Sequence, residues 1–448
     1  MSATSVNEWA LERAVVQAGV AFDATELEAT RLPFDAADAL AALRTLVAAE
    51  VAAPPADAAP IVDRAIPIAL VTGSNGKTTT SRLLAAMLRQ QGHTVGLCST
   101  DGVFVGDETI ETGDWSGPVG ARRVLGDARV TAAVLETARG GLLRRGLVVS
   151  RADVAVVTNV AADHFGEYGI HTLADIAELK TSLAYGLGAG GTLVLNGDDP
   201  LLDPDAPTAR LHAAARALPA ARRVTFSLER PWPATLPPID EIPITVRGAA
   251  RFNIANVMAA ATAAHALGIP DGDIASALRT FGTDPRDNVG RLMQLPLGGA
   301  LIVVDYAHNP HGMSALLTTA RAMSTGRLLL LLGQAGDRDD DAIRALARTA
   351  WAARPALVVI KELDGYRRGR APGAVPALLA DELAKAGAKT DQLTTVLDEL
   401  GAVRALLAQA RRDDLVVLPV HALETRTRVL ALLDRLHAMA WQAGDPVP

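Results

Sequence analysis

The sequence predicts an α/β protein in which two domains, each a mainly parallel sheet covered by helices, follow a short helical N-terminal segment. Three observations lead there. Short apolar runs alternate with helical patterns: IALVTG, TVGLCST, VTAAVLET, ADVAVVTNV and TLVLNGDD, then a second series, ALIVVDYAH, RLLLLLGQAG, ALVVIKEL and DLVVLPVHA. Runs rich in Val and Leu without polar alternation suit strands buried on both faces of a parallel sheet. The two series are separated by a break, and 448 residues with 49% hydrophobic content are too many for one ordinary core.

In chain order, NEWALERAVVQAG and DAADALAALRTLVAAEVAA read as helices, and APPADAAP as a linker closing a segment over residues 1–65. Residues 66–289 form the first α/β domain. Within it ERPWPATLPPIDEIPITV, with its five prolines, is expected to form a loop and edge strands, and FNIANVMAAATAAHALGI a helix of small residues. Residues 290–448 form the second domain, of Rossmann-like type.

Charge and cysteine usage exclude several classes. Net charge is −7 and no window gathers Lys and Arg, so neither a nucleic-acid nor a membrane partner is expected. The single Cys98 excludes an internal disulfide framework and a multi-cysteine metal site. With no apolar run of membrane-spanning length, the expected location is the cytoplasm. Of 43 basic residues only five are lysine: Lys77, Lys180, Lys361, Lys385 and Lys389. Arginine serves wherever a generic positive charge suffices, which makes each retained lysine a candidate for a role that needs a compact ammonium or an amine. Chance accounts for Lys385 and Lys389 on the pattern DELAKAGAKT.

Ligands of open parallel sheets sit beyond the carboxyl ends of the strands. After IALVT, residues Gly73, Ser74, Asn75 and Gly76 can turn the backbone so that its N–H groups face a phosphate at a helix start. Lys77 would reach the outer phosphates, Thr78 a magnesium ion, and Thr79 continues the loop's GKTT run. The variant is shorter than GxxxxGK[ST], since Val71 stands at the first glycine position. A strand, two glycines, GKT and a helix together define a P-loop ATPase domain more strongly than a capped turn would. Glu136 ends a buried run, so it should face a cation or a helix terminus. Asp163 and His164 follow ADVAVVTNV, and Lys180 lies on a helix whose N-cap is Thr172. A lysine close to a metal repels it, so Lys180 acting there would be neutral or carry a carbamate formed with CO2. Asp305 and His308 follow the strand of DYAHNP and are read either as ribose or second-substrate contacts or, with Asn309 before Pro310, as a helix cap. Glu362, Asp364, Arg367 and Arg370 are read as a recognition segment or a solvated charged loop.

The segments TGSNGKTTT, NVAADH, FNIANVMAA and DYAHNP, with Glu136 and Lys180, resemble the Mur ligase superfamily in identity and order. Within it, STDGVFVGD, GDWSGP, LETARGGLLRRGL, NVAADHFGEYGIHTL, GDRDDD and KELDGYRRGR resemble the C-terminal part of the cyanophycin synthetase family, strongly from Ile68 to Arg370. The resemblance implies an ATP-dependent carboxylate–amine ligase that works through an acyl phosphate. It implies two magnesium ions, one on Thr78 and Glu136, the other on His164 and the carbamate of Lys180. Asn256 resembles an adenine-contacting asparagine; Arg291 and Asp305 resemble residues that close over phosphates and ribose. Arg139, His308, Asn309, Asp337 and Arg338 are further substrate candidates, with Lys77, His164 and Lys180 as the catalytic set. The large ATP-grasp domain of cyanophycin synthetase has no counterpart in about 65 residues, so the expected substrates are a small-molecule or peptide acid and an amine, with a separate ATP-grasp enzyme as partner. A regulatory subunit that keeps the nucleotide site without ligation, and a folyl- or polyglutamate-type ligase, are the alternatives.

Overall fold

The computed structural model describes residues 64–162, 170–363 and 365–448. The expected N-terminal helices, and with them Asp163, His164 and Asp364, lie outside the described residues. Two compact units are present, one running up to Pro233 and including Ala255–Ile274, the other comprising Ala234–Ile254 and Ala275–Pro448.

The first unit is built on an eight-stranded sheet: β1 (Ile68–Thr72), β2 (Val95–Ser99), β3 (Gly102–Val105), β4 (Glu108–Thr112), β5 (Ala132–Glu136), β6 (Ala152–Val157), β7 (Leu187–Asn196) and β8 (Arg223–Phe226), ordered β4-β3-β2-β5-β1-β6-β7-β8. From β2 to β8 all neighbours are parallel. The helices are α1 (Lys77–Gln90), α2 (Pro118–Gly126), α3 (Arg139–Arg145), α4 (Leu173–Thr181), α5 (Ala213–Ala217) and α6 (Arg251–Ala266), the last shared with the second unit. Successive residues of β1 point to opposite faces, and both faces are covered. Ile68 and Leu70 join a core with Val124, Leu142, Ile176 and Leu183, while Ala69 and Val71 are equally buried on the other side.

The five apolar runs of the first series are β1, β2, β5, β6 and β7. The antiparallel hairpin β3–β4 adds an edge that the apolar-run reading omits. Its signal was a Gly106–Asp107 turn between alternating VFV and TIE, with Gly106 at φ 59°. The proline-rich stretch departs from expectation in the other direction. It holds the single 3-10 turns Ile239–Glu241 and Pro243–Thr245 and no strand. Pro237, Pro238 and Pro243 have no N–H to give to a ladder, and the segment is held by turns and by Asn253 Nδ2 donating to the Ile244 carbonyl (2.8 Å).

The second unit adds α7 (Asp271–Thr280), which begins in the first, then β9 (Met293–Leu297), β10 (Ala300–Asp305), α8 (Pro310–Met323), β11 (Leu328–Leu332), α9 (Asp340–Ala352), β12 (Leu357–Ile360), α10 (Ala374–Lys385), β13 (Leu393–Thr395), α11 (Glu399–Leu407), β14 (Leu415–Pro419) and α12 (Leu423–Ala438). The strand order is β13-β12-β11-β14-β10-β9, with only β9 antiparallel. Leu328, Leu330 and Leu332 pack under α8, α9 and α10. Leu329 and Leu331 pack under α11 and α12. That two-sided burial explains why this strand is an uninterrupted run of leucine. Among the described residues no helix is long and apolar enough to cross a membrane.

Candidate active site

In the first unit β1 delivers the chain to a tight loop at the carboxyl edge of the sheet. Gly73 (φ 153°) and Gly76 (φ 85°) are at conformations and distances that admit no side chain. A Cβ on Gly73 would stand 1.8 Å from Thr158 Oγ1, and one on Gly76 would stand 2.2 Å from Asn256 Oδ1. The loop is tied to the turn after β6. Ser74 N donates to Asn159 O (3.0 Å), Asn75 N donates to Asn159 Oδ1 (2.9 Å), and Asn159 Nδ2 returns to Asn75 O (3.0 Å). Thr158 Oγ1 donates to Asn75 O (2.6 Å), and Ala161 N donates to Ser74 Oγ (2.9 Å). This corrects part of the expectation, since the N–H groups of Ser74 and Asn75 are directed at Asn159 rather than at a phosphate. The start of α1 fits the expected anion better. Its N-cap is Gly76, which has no side chain to close over the first turn, and a helix start of this kind favours an anion. Lys77 Nζ lies over the loop, donating to the carbonyls of Gly73 (3.1 Å) and Ser74 (3.3 Å). Thr79 is buried in the first turn.

Beside this loop, β5 ends in Glu136, which is fully buried. Thr78 Oγ1 donates to its Oε2 (2.9 Å) and Thr100 Oγ1 to its Oε1 (2.9 Å). The carboxylate thus faces the first turn of α1, as a buried charge must face a compensating dipole or cation. Burial, and after it the Glu136 charge, pushes the thiol of Cys98 well above its ordinary range. Sequence reasoning marks Ser99 to Gly102 as an informative polar stretch after β2 but gives Thr100 no role of its own. The neighbouring Asp101 binds Arg82 of α1 (2.7 Å, both largely buried). A hydroxyl, a carboxylate and a helix start suit a magnesium nucleotide, because magnesium takes oxygen ligands and is held by one or two carboxylates alongside phosphates. Among the described residues no group of three or more His, Cys, Asp and Glu gathers as a metal cluster.

Lys180 is carried by α4, whose N-cap Thr172 accepts from Asp175 N and forms a capping box with it. The lysine is 4% exposed. At that depth an ammonium must be paired, neutral or modified. Asn256 on α6 is also buried, with its amide oxygen at Gly76 and accepting from Thr80 Oγ1 (3.5 Å). Arg139 opens α3. Gly141 packs on the backbone of Gly117, to whose Cα an added Cβ would come within 3.0 Å.

The second unit gathers its polar residues at the carboxyl edge of its own sheet. Asp305, at the end of β10, accepts from Leu292 N at Oδ2 (2.6 Å) and Ala307 N at Oδ1 (2.7 Å). Both oxygens of the expected ribose ligand thus hold backbone, and burial pushes the carboxyl pKa up against these bonds and the nearby Arg291 charge. The Arg291 guanidinium lies 4.4 Å from the centre of the Tyr306 ring. His308 Nδ1 stands 3.1 Å from Tyr306 O. Asn309 caps α8 by accepting from Gly312 N (2.8 Å), with Pro310 in the first turn. Arg338 pairs with Asp337 (3.1 Å). In the KELDGYRRGR segment, Glu362 accepts from Gly373 N (2.8 Å). Arg370 binds the carbonyls of Gly336 (2.9 Å) and Arg338 (2.6 Å). These two side chains brace the loop internally. Lys361, flagged only by the scarcity of lysine, proves fully buried against Glu399.

A parallel α/β sheet whose first strand runs through a glycine turn into a GKTT helix, with a buried acid at the next strand end, defines a P-loop protein. Family profiles described as "Mur ligase middle domain" and "Mur ligase, glutamate ligase domain" match residues 71–264 and 290–419. The chain belongs to the Mur ligase family. It is 36% identical to the cyanophycin synthetase of Crocosphaera subtropica over 388 residues, 83% of this chain and 44% of that protein. Identity to the cyanophycin synthetase of Synechocystis is 37% over 372 residues, covering 79% and 42%. The chain thus spans less than half the length of these relatives. A UDP-N-acetylmuramoyl-L-alanyl-D-glutamate–2,6-diaminopimelate ligase from Geobacter metallireducens is 30% identical over 293 residues, 61% of this chain and 56% of that one. Among solved structures, a bifunctional folylpolyglutamate synthase/dihydrofolate synthase with Mn, AMPPNP and L-glutamate bound superposes with a TM-score of 0.60, at 21% identity, covering 84% and 91% of the two chains. That likeness is one of fold.

Proposed function

We propose that the chain is an ATP-dependent ligase that joins a carboxylate to an amine. The γ-phosphoryl group passes from ATP to a carboxylate oxygen of the acid as its bond to the bridging oxygen of the β-phosphate breaks, and ADP leaves. The amine nitrogen then attacks the acyl carbon, phosphate departs with the C–O electron pair, and the nitrogen loses a proton to give the amide. The observation that carries this reading is the assembly of Lys77, Thr78 and Glu136 at the mouth of the first sheet. Membership of a ligase family and likeness to cyanophycin synthetases favour amide formation over the motor or switch chemistry that other P-loops serve.

In this reading the start of α1 and Lys77 hold the phosphates, and Thr78 and Glu136 hold magnesium. Bound magnesium neutralises charge that builds on the transferring group. Thr100 orients Glu136, Asn256 lines the nucleotide site, and His164 with a carbamate on Lys180 completes a second metal position. Arg291, Asp305 and His308 act from the second unit on the nucleotide or the second substrate, and Arg139, Asn309, Asp337 and Arg338 are assigned to substrate. The domain limits 66–289 and 290–448, a cytoplasmic location and cooperation with a separate ATP-grasp enzyme belong to the same proposal.

The test is phosphate release with ATP and magnesium against a matrix of acids (aspartyl and glutamyl peptides, amino acids) and amines (arginine, lysine, other amino acids), with mass spectrometry of products. A new amide with stoichiometric ADP in one acid–amine pair is expected. ADP release indifferent to both acid and amine would overturn the reading.

A further inference from the structure

Lys361 is a buried cation that the reading above does not use. It follows β12, and its side chain runs across the end of β11 to β14. The crossing is possible because Gly333 follows β11: a Cβ there would stand 2.7 Å from Lys361 Cγ and 3.0 Å from Cε. Beyond Gly333, the Nζ donates to the carbonyl of Pro419 at the end of β14 (2.6 Å) and to Glu399 Oε1 in the first turn of α11. Lys361 is 0% exposed and Glu399 2%. One side chain therefore straps three neighbouring strand ends and a helix start.

The residues next to that strap are the site candidates of this sheet. Val420 N, directly after Pro419, donates to Asp305 O (2.9 Å). His421 Nε2 lies 2.9 Å from Ala307 O. A carbonyl can only accept, so the proton is on Nε2 and the buried Nδ1 is the bare nitrogen, without a partner in the structure. The His421 ring meets Tyr306 edge-on at 5.5 Å and His308 at 6.4 Å, and Tyr306 carries Arg291 on its face. From the other side, Gln334, right after Gly333, donates to His308 O (2.8 Å). The loop Tyr306–Ala307–His308 is thus hung from His421 and Gln334, whose strand ends Lys361 holds together.

We propose that Lys361 and Glu399 are positioning residues: their buried pair fixes the end of β14, and through His421 it sets where Tyr306, His308 and Arg291 stand. A packing role alone would be served by an apolar pair of similar volume, since such replacements of buried ion pairs are often neutral for stability. What an apolar pair cannot supply is the bond to the Pro419 carbonyl, which locates the turn bearing His421. The effect on turnover rests on the ligase reading; the effect on the loop does not.

The test compares wild type with Lys361→Met, Glu399→Gln and the double variant Lys361→Met/Glu399→Leu in the full chain. Each single change strands a buried partner and lowers the melting temperature; the double restores it. Hydrogen exchange by mass spectrometry of the double variant should show at least tenfold faster exchange in peptides covering 305–309 and 419–422, with exchange in α9 and α12 unchanged. Amine-dependent ADP release should fall at least tenfold in kcat, with the KM for ATP moving less. A double variant with wild-type exchange at 305–309 overturns the proposal, as does one whose exchange rises while kcat stays at the wild-type value. If wild type itself releases no ADP in response to acid and amine, the ligase reading fails, and the exchange measurement alone decides the strap.

Discussion

The hydroxyl of Thr78, in the first turn of α1, donates to the carboxylate of Glu136 at the end of β5 across 2.9 Å, although the two are 58 residues apart in sequence. That bond joins the glycine loop and its helix to a fully buried acid beside them, and it makes a prediction about metal. Thr78→Val keeps the shape and removes the oxygen. Affinity for Mn2+ in the presence of ADP should fall roughly 10–100-fold, as with other partners that orient or bind a metal. Titration of free Mn2+ by electron paramagnetic resonance measures it. Thr100→Val, which removes only the orienting hydroxyl on Oε1, should fall at the low end of that range. Equal losses would mean that both hydroxyls serve Glu136 in the same way and that Thr78 is no ligand.

Gly76 should not tolerate alanine, for two separable reasons. At φ 85° a side chain is strained, by about 1–2 kcal/mol for the left-handed region. The added Cβ also meets Asn256 Oδ1. Combining Gly76→Ala with Asn256→Ser withdraws the amide oxygen but leaves the strain. The double variant should therefore melt higher than the sum of the single effects predicts, with a coupling above the roughly 0.3–0.5 kcal/mol seen between independent sites. Simple additivity would show that Asn256 is not what confines this position.

The nine buried strands were legible because two-sided burial writes itself as continuous Val and Leu. The loop was legible because its glycines, lysine and threonine are adjacent in sequence. Contacts made by long-range pairing were not. Nothing near Lys361 announces Glu399, 38 residues on, and the role of Gly333 is visible only once β11 and β12 are side by side. Asn159 illustrates the same limit at the loop itself. The sequence suggests N–H groups offered to an anion, but two of them are met by an asparagine side chain and carbonyl brought in by β6.

His421 makes stability depend on pH. Burial, then the Lys361 charge, holds its pKa well below the ordinary histidine value. The folded state therefore stays neutral there while the unfolded chain takes up a proton as pH falls through about 6.5. The contribution has its full value above the unfolded pKa and is lost progressively below it, with a slope of at most about 1.4 kcal/mol per pH unit for one proton. His421→Gln, which retains a donor for Ala307 O, should lose less stability than wild type between pH 7.5 and 5.5. Urea midpoints at the two pH values test this; parallel shifts in both proteins would assign the acid sensitivity to other groups.

Lys180 yields the sharpest chemical prediction. It is buried on α4 in a chain that otherwise prefers arginine, and arginine could not replace it if the amine must react with CO2. Carbamate formation converts a cation into an anion, which is what the second metal position proposed for Lys180 with His164 would require. With 13C-bicarbonate, the wild type should show a carbamate carbonyl resonance that is absent from Lys180→Ala. The variant should lose at least roughly 100-fold in turnover, comparable to the loss of one charge-stabilising group in an active site. Acetate or another short carboxylate should restore part of that activity by supplying the missing oxygens. A variant rescued by a short alkylamine and not by a carboxylate would show that the amine itself acts, and the carbamate would then be excluded.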